Sequence, residues 1–165
     1  MAELPVSAEA FADAVDRVAA HRDRLVVVKL GGSAMEDPAA TDACLRSVAV
    51  LNRLGVPVVL VHGGGKPIDR AMAEAGLVPK KVAGRRYTDD ATLAIVVRVL
   101  KEINLGLVGA LHRLGCEAAA QTEQLHGERL RLIGPDRQPI DLGRVGNVTR
   151  VSGFTHLRTE TLCAR

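Results

Sequence analysis

Phe11, Val15, Val18 and Ala19 recur at helical spacing, so Ser7 to about His21 reads as an amphipathic helix with Ser7 as its N-cap. The pattern then changes. Leu25 to Leu30 is a short, nearly continuous apolar run rich in β-branched residues, which suits a strand buried on both faces of a parallel sheet. Gly31-Gly32 breaks it. A second helix starts at Asp37-Pro38, with Pro38 near N1, and runs to about Leu54 before Gly55. Val56 to Val61 is a second buried strand, closed by Gly63-Gly64-Gly65, and a third helix spans about Pro67 to Ala75, stopped by Gly76. Thr88 or Asp89 caps a long helix from about Asp90 to Leu114, ended by Gly115. Its apolar stripe runs through Leu93, Val96, Leu100, Ile103, Leu107 and Leu111, while Val99 and Val108 widen it beyond one face. Such a helix is buried against more than one neighbour: a sheet and a partner subunit, or other elements around a central core helix.

From Cys116 the texture shortens. Segments 117–121, 129–133, 138–142 and 145–151 are separated by Gly127, Gly134-Pro135-Asp136 and Gly143, and read as β-hairpin material. Residues 152–165 show weak periodicity and no clear element. The alternation of strand, glycine-rich turn and helix predicts an α/β fold: a three-layer αβα sandwich on a mainly parallel sheet, plus a hairpin segment. Ligands in such folds sit at the carboxyl ends of the strands, where these glycines lie.

Composition narrows the function classes. Aromatics are 2% of the 165 residues, so the core is aliphatic. A net charge of +3 without a basic stripe, and so few aromatics, argue against nucleic-acid binding. The three cysteines are far apart and suggest neither zinc nor a disulfide framework, and no metal-ligand set is read. No apolar run is long enough for a membrane span and no signal-peptide pattern opens the chain, so a cytoplasmic location is expected.

Three motifs carry candidate chemistry. Lys29-Leu30-Gly31-Gly32-Ser33 follows the first strand. Its glycines let backbone amides approach a phosphate and Lys29 adds a charge, although a plain strand-to-helix turn with a snorkelling lysine gives the same letters. His62-Gly63-Gly64-Gly65-Lys66-Pro67 follows the second strand. It is not a Walker A loop, because Pro67 stands where Ser or Thr is needed, and His62 suits positioning better than proton transfer. Gly84 to Asp89 brings Arg85 and Arg86, which could grip a carboxylate or simply decorate the loop that caps the next helix.

Taken together, V-V-V-K-L-G-G-S-A-M, V-L-V-H-G-G-G and G-R-R-Y-T-D, with D-L-G-R-V-G-N-V at 141–148, resemble the N-terminal lobe of the N-acetylglutamate kinases, a branch of the amino-acid kinase family. The resemblance runs from about Leu25 to Val151. It divides the chain into a lobe at 1–151 and an unmatched tail at 152–165. It implies an enzyme that phosphorylates the side-chain carboxylate of N-acetyl-L-glutamate with ATP and Mg2+, in arginine biosynthesis. It further implies that Lys29 stabilises the transferring phosphoryl group and that Gly31 and Gly32 contact the ATP phosphates. Gly64 and Gly65 would hold the reacting carboxylate, Arg86 the α-carboxylate, and the helix at about 90–114 would form a homodimer.

Family members are longer. Their Asn-x-Asn-Ala-Asp segment, second lysine and nucleotide lobe have no counterpart here, and Gln121-Thr122-Glu123-Gln124 replaces a glycine- and aspartate-containing loop. Negligible kinase activity is therefore expected of the isolated chain. The alternatives are a catalytically dead module that binds acyl amino acids or joins oligomers, and another amino-acid kinase such as an aspartokinase or uridylate kinase.

Overall fold

The computed structural model describes residues 6–121, 125–151 and 159–163. The remaining positions, including residues 122–124 of the replaced loop and most of the 152–165 segment, lie outside the described residues.

Helix α1 (Ala8–Ala19) starts at Ser7, whose Oγ accepts the Ala10 N–H at 3.1 Å. Strand β1 (Val26–Leu30) follows, then a one-turn helix α2 (Gly32–Glu36) and helix α3 (Pro38–Arg53). Asp37 caps α3 by accepting from the Ala39 and Ala40 N–H groups at 2.9 and 3.3 Å, and Gly55 ends it with φ +86°. Strand β2 (Val58–His62) leads into α4 (Gly65–Glu74), a short hairpin of β3 (Lys81–Val82) and β4 (Arg85–Arg86), and the long α5 (Asp90–Arg113). Asp89, not Thr88, caps α5, accepting from the Thr92 N–H at 2.8 Å. Beyond it lie β5 (Ala119–Gln121), β6 (Leu125–Arg129), β7 (Leu132–Ile133), β8 (Pro139–Ile140), β9 (Gly146–Val151) and β10 (Thr159–Cys163).

The central sheet is parallel throughout, in the order β1-β2-β10-β5, and β1 pairs with β2 from Val26↔Val58 to Leu30↔His62. Val26, Val28 and Leu30 share a face with Val58 and Leu60. Against that face pack Leu45, Val48 and Ala49 of α3 and Leu107, Val108 and Leu111 of α5. A second cluster joins Val99 and Leu100 of α5 to Ile68, Ala71 and Met72 of α4. The faces of α5 that carry Val99, Leu100, Leu107, Val108 and Leu111 are thus covered within the chain by the sheet, α3 and α4, while Leu105 stays exposed.

Four sequence expectations change. Burial on both faces holds for β2 but not for β1, an edge strand whose Val27 is 63% exposed. The 117–121 segment is not hairpin material: Ala119–Gln121 pairs parallel to β10 in the central sheet. Gly31-Gly32 does not simply break the chain but opens α2, whose five residues are too few for a periodic signal. Thr159–Cys163, without a clear element in the sequence, supplies an interior strand. The expected hairpins do form, as β6 with β9 and β7 with β8 inside them.

Leu111 is fully buried between α5 and the sheet. Leu111→Ala is expected to cost about 2–5 kcal/mol in urea unfolding, whereas Val27→Thr on the open face stays within about 0.5 kcal/mol. A Val27→Thr loss as large as that of Leu111→Ala would contradict an open β1 face.

Candidate functional site

Parallel pairing brings the ends of β1 and β2 to one edge of the sheet, so both glycine turns open there side by side. Gly31 is the N-cap of α2 and Gly64 the N-cap of α4, and neither brings a capping side chain. The first backbone N–H to bond back in α4 is that of Ile68, to the Gly64 carbonyl at 2.9 Å. The Gly65 and Lys66 N–H groups therefore have no intrahelical partner, and they sit at the positive end of the helix dipole. A cleft of about 540 Å³ lies between the two turns, lined by Gly32, Met35 and Glu36 on one side and by Gly64 to Pro67, Asp69 and Arg70 on the other. An ion pair from Lys66 to Glu36 spans it.

The glycines differ in what they do. A Cβ on Gly31, Gly32, Gly63 or Gly65 would meet nothing within 4 Å, which leaves open space over these backbones. A Cβ on Gly64 would lie 2.7 Å from Leu100 Cδ2 and 3.3 Å from both Ile103 and Ile68. Gly64 thus lets the turn rest directly on α5.

His62 fixes the turn from beneath. It is fully buried, with Nδ1 3.0 Å from the Gly63 carbonyl and Nε2 3.2 Å from Asn104 Nδ2 in the middle of α5. The Asn104 amide donates to Nε2, so Nδ1 carries the proton and donates to the carbonyl. Burial pushes the imidazole pKa down, with the Gly63 bond opposing it more weakly. A neutral histidine in this arrangement positions the loop and leaves proton transfer aside.

Arg86 is held at the end of β4, with its side chain 19% exposed. Its Nη2 pairs with Asp69 at 2.5 Å and its Nη1 lies 3.2 Å from Met72 Sδ, so α4 orients it from the side that lines the cleft. Its hydrogen bond goes to Met72, while the contact with Asp69 is an ion pair without hydrogen-bond geometry. Lys29 is exposed on the open face of β1 and is not part of the cleft lining. The structure therefore groups Gly32, Gly64 and Gly65 around one cleft, with Gly31 adjoining and Arg86 against its Asp69 wall, while Lys29 stands apart. Sequence reasoning missed Asp69, Asn104 and the Glu36–Lys66 pair. Asn104 carried a signal, as an amide on the apolar stripe of α5. Among the described residues, no group of three His, Cys, Asp or Glu side chains could hold a metal ion, and no helix is long and apolar enough to cross a membrane.

Two glycine turns open side by side at the carboxyl edge of a parallel sheet, followed by an arginine hairpin and a long helix, and the Amino acid kinase family model matches residues 24–159: the chain belongs to that family. Within it, the chain is similar to the acetylglutamate kinase of Akkermansia muciniphila, 39% identical over 158 residues that make up 94% of this chain and 52% of the relative. The acetylglutamate kinase of Psychrobacter arcticus is 34% identical over 159 residues, 91% of this chain and 52% of the relative. The chain spans about half the length of the curated relatives it matches. Among solved structures, N-acetylglutamate synthase from Neisseria gonorrhoeae, complexed with coenzyme A and N-acetyl-glutamate, superposes with a TM-score of 0.74 at 18% identity. The overlap covers 96% of this chain and 38% of that one, a likeness of fold.

The lowered His62 pKa makes stability depend on pH. Above the ordinary value of 6.5 the residue is neutral folded or unfolded; below it the unfolded chain takes up a proton that the folded state refuses. Stability is therefore present above that value and is lost as pH falls from it toward the lowered folded pKa. The urea midpoint should fall between about pH 7.5 and pH 5.5, and fall less in His62→Gln. Equal losses in the two proteins would remove His62 as the cause.

Proposed function

We propose that this chain is the acyl-amino-acid lobe of an acetylglutamate kinase, which phosphorylates the side-chain carboxylate of N-acetyl-L-glutamate with ATP and Mg2+. The observation that carries this reading is the convergence of Gly32 and Gly64-Gly65 on one cleft, with Arg86 oriented by Asp69 at its wall. The substrate is a dianion with carboxylates at both ends, and the cleft offers two kinds of anion site. The Gly64 and Gly65 amides at the start of α4 suit the reacting carboxylate, where a helix N-terminus contributes about 0.3–1 kcal/mol per anion and up to about 2 when partly buried. The guanidinium of Arg86, a five-donor fork, suits the α-carboxylate.

The Gly31 and Gly32 backbone would lie against the ATP phosphates, with Lys29 approaching the transferring phosphoryl group from the neighbouring strand. Phosphoryl transfer is governed by positioning and charge, which such groups supply without covalent help. Homodimer formation through α5 belongs to the same reading, and the exposed Leu105 (64%) on that helix supports it. The names of the acetylglutamate kinases at 34–39% identity favour this acceptor over those of other amino-acid kinases.

Isothermal titration of the chain with N-acetyl-L-glutamate tests the reading. Binding is expected, and Arg86→Ala should weaken it about tenfold to a hundredfold, the loss of a charged hydrogen-bonded pair. Saturable binding that is indifferent to Arg86→Ala, or no binding by a folded chain, would refute the proposed site.

A further inference from the structure

The Asp141-Leu142-Gly143-Arg144 turn has no part in the cleft, yet it is bonded to the segment that carries Arg86. Thr88, two residues beyond Arg86, is gripped on both sides. Its N–H donates to the Leu142 carbonyl at 3.1 Å, and its carbonyl accepts from the Arg144 N–H at 2.6 Å. Its Oγ1 turns back to donate to the Arg86 carbonyl at 3.2 Å. Between these bonds Gly143 touches Thr88 so closely that a Cβ would stand 2.1 Å from the Thr88 carbonyl oxygen, and its φ of +70° also favours glycine.

The turn is anchored at three further points. Arg144 forks onto Asp90, in the first turn of α5, through Nε at 2.8 Å and Nη2 at 3.4 Å. Arg129 donates to the Gly143 carbonyl at 3.1 Å and to Asp141 at 3.2 Å. Asp141 also accepts the Gly143 N–H at 2.9 Å, and the Tyr87 hydroxyl reaches it at 3.5 Å. The Gly143 bond, helped by Arg129 and Tyr87 against some desolvation, keeps the Asp141 carboxyl below its ordinary pKa.

We infer that the 141–144 turn is a clamp that sets the position of Arg86, which makes Gly143 and Arg144 positioning residues for recognition of the α-carboxylate although neither lines the cleft. The inference rests on the acetylglutamate reading of the site. Without the clamp, residues 85–89 would keep the two-residue β3–β4 pairing, the Tyr87–Lys80 contacts, the Asp89 cap and the contacts of the Arg86 head group with Asp69 and Met72, but the backbone at Thr88 would lose its hold on both sides. A misplacement of about an ångström at the base of a binding side chain can cost up to about a hundredfold.

Two readouts test the clamp. The chain has one tyrosine and no tryptophan, so its intrinsic fluorescence reports Tyr87 alone. Arg144→Ala should raise acrylamide quenching of Tyr87, and Gly143→Ala should raise it further. The second readout is selectivity between N-acetyl-L-glutamate and 4-acetamidobutanoate, the same molecule without its α-carboxylate. The wild type should prefer the former by about tenfold or more. Arg144→Ala should lower that preference toward the Arg86→Ala value, and Arg86→Ala/Arg144→Ala should match Arg86→Ala within about twofold, as residues acting through one contact do. If the wild type shows no preference, the acetylglutamate reading fails and the inference with it. If the wild type discriminates and Arg144→Ala discriminates equally, or if Tyr87 quenching is unchanged, the clamp alone is overturned. A loss of binding for both ligands together would mark a merely structural role for the turn.

Discussion

Parallel, in-register pairing of β1 with β2 is the constraint on which the site depends. Antiparallel strands would send the two glycine turns to opposite ends of the sheet. The observed register sets Leu30 beside His62, so the turns after them meet at one edge. Hydrogen bonding of the two backbones alone fixes direction but not phase. Phase comes from the apolar face, because a one-residue slip of β1 would turn Val26, Val28 and Leu30 away from α3 and α5 onto the open face. The aliphatic core therefore determines where the anion-facing backbone lies, and side-chain chemistry in the cleft is secondary to it.

A second level of order comes from α5. Its buried Asn104 holds His62, its Leu100 and Ile103 pack beneath Gly64, and its N-terminal turn anchors Arg144 through Asp90. One helix thus supports both the glycine turn and the arginine hairpin, at points about four turns apart along its axis. Such sharing keeps the glycine turn and the arginine hairpin at a fixed separation, as the proposed recognition of a ligand with two terminal carboxylates would require.

Much of this was legible in the sequence, for reasons that can be named. The caps Ser7 and Asp37 and the stops Gly55 and Gly115 act locally, so helix ends fell within a residue or two of the periodic pattern. The glycine turns were visible because runs of glycine are costly without a task, whereas Arg86 was set apart from Arg85 by the family resemblance alone. What stayed hidden depends on tertiary neighbours. Burial of β1 on one face only follows from its place at the sheet edge, which the run of valines cannot encode. The Asp69 partner of Arg86 and the Asn104 partner of His62 are 17 and 42 residues away along the chain. The clamp role of Gly143 was invisible because glycine in a turn already has a sufficient local explanation.

The strand order carries a consequence for how the molecule is made. Residues 159–163 enter the sheet between residues 58–62 and 119–121, so the last strand among the described residues is an interior one. While the polypeptide emerges from the ribosome, β2 and β5 cannot meet each other and have no partner between them. One edge of β2, with Val58, Val59 and Leu60 along it, must wait about a hundred residues for its neighbour, a long-range closure of the kind that slows folding. During that interval the strand is an open template for other chains. The same topology that gathers the glycine turns at one edge therefore leaves β2 paired on one side only until residues 159–163 have been made.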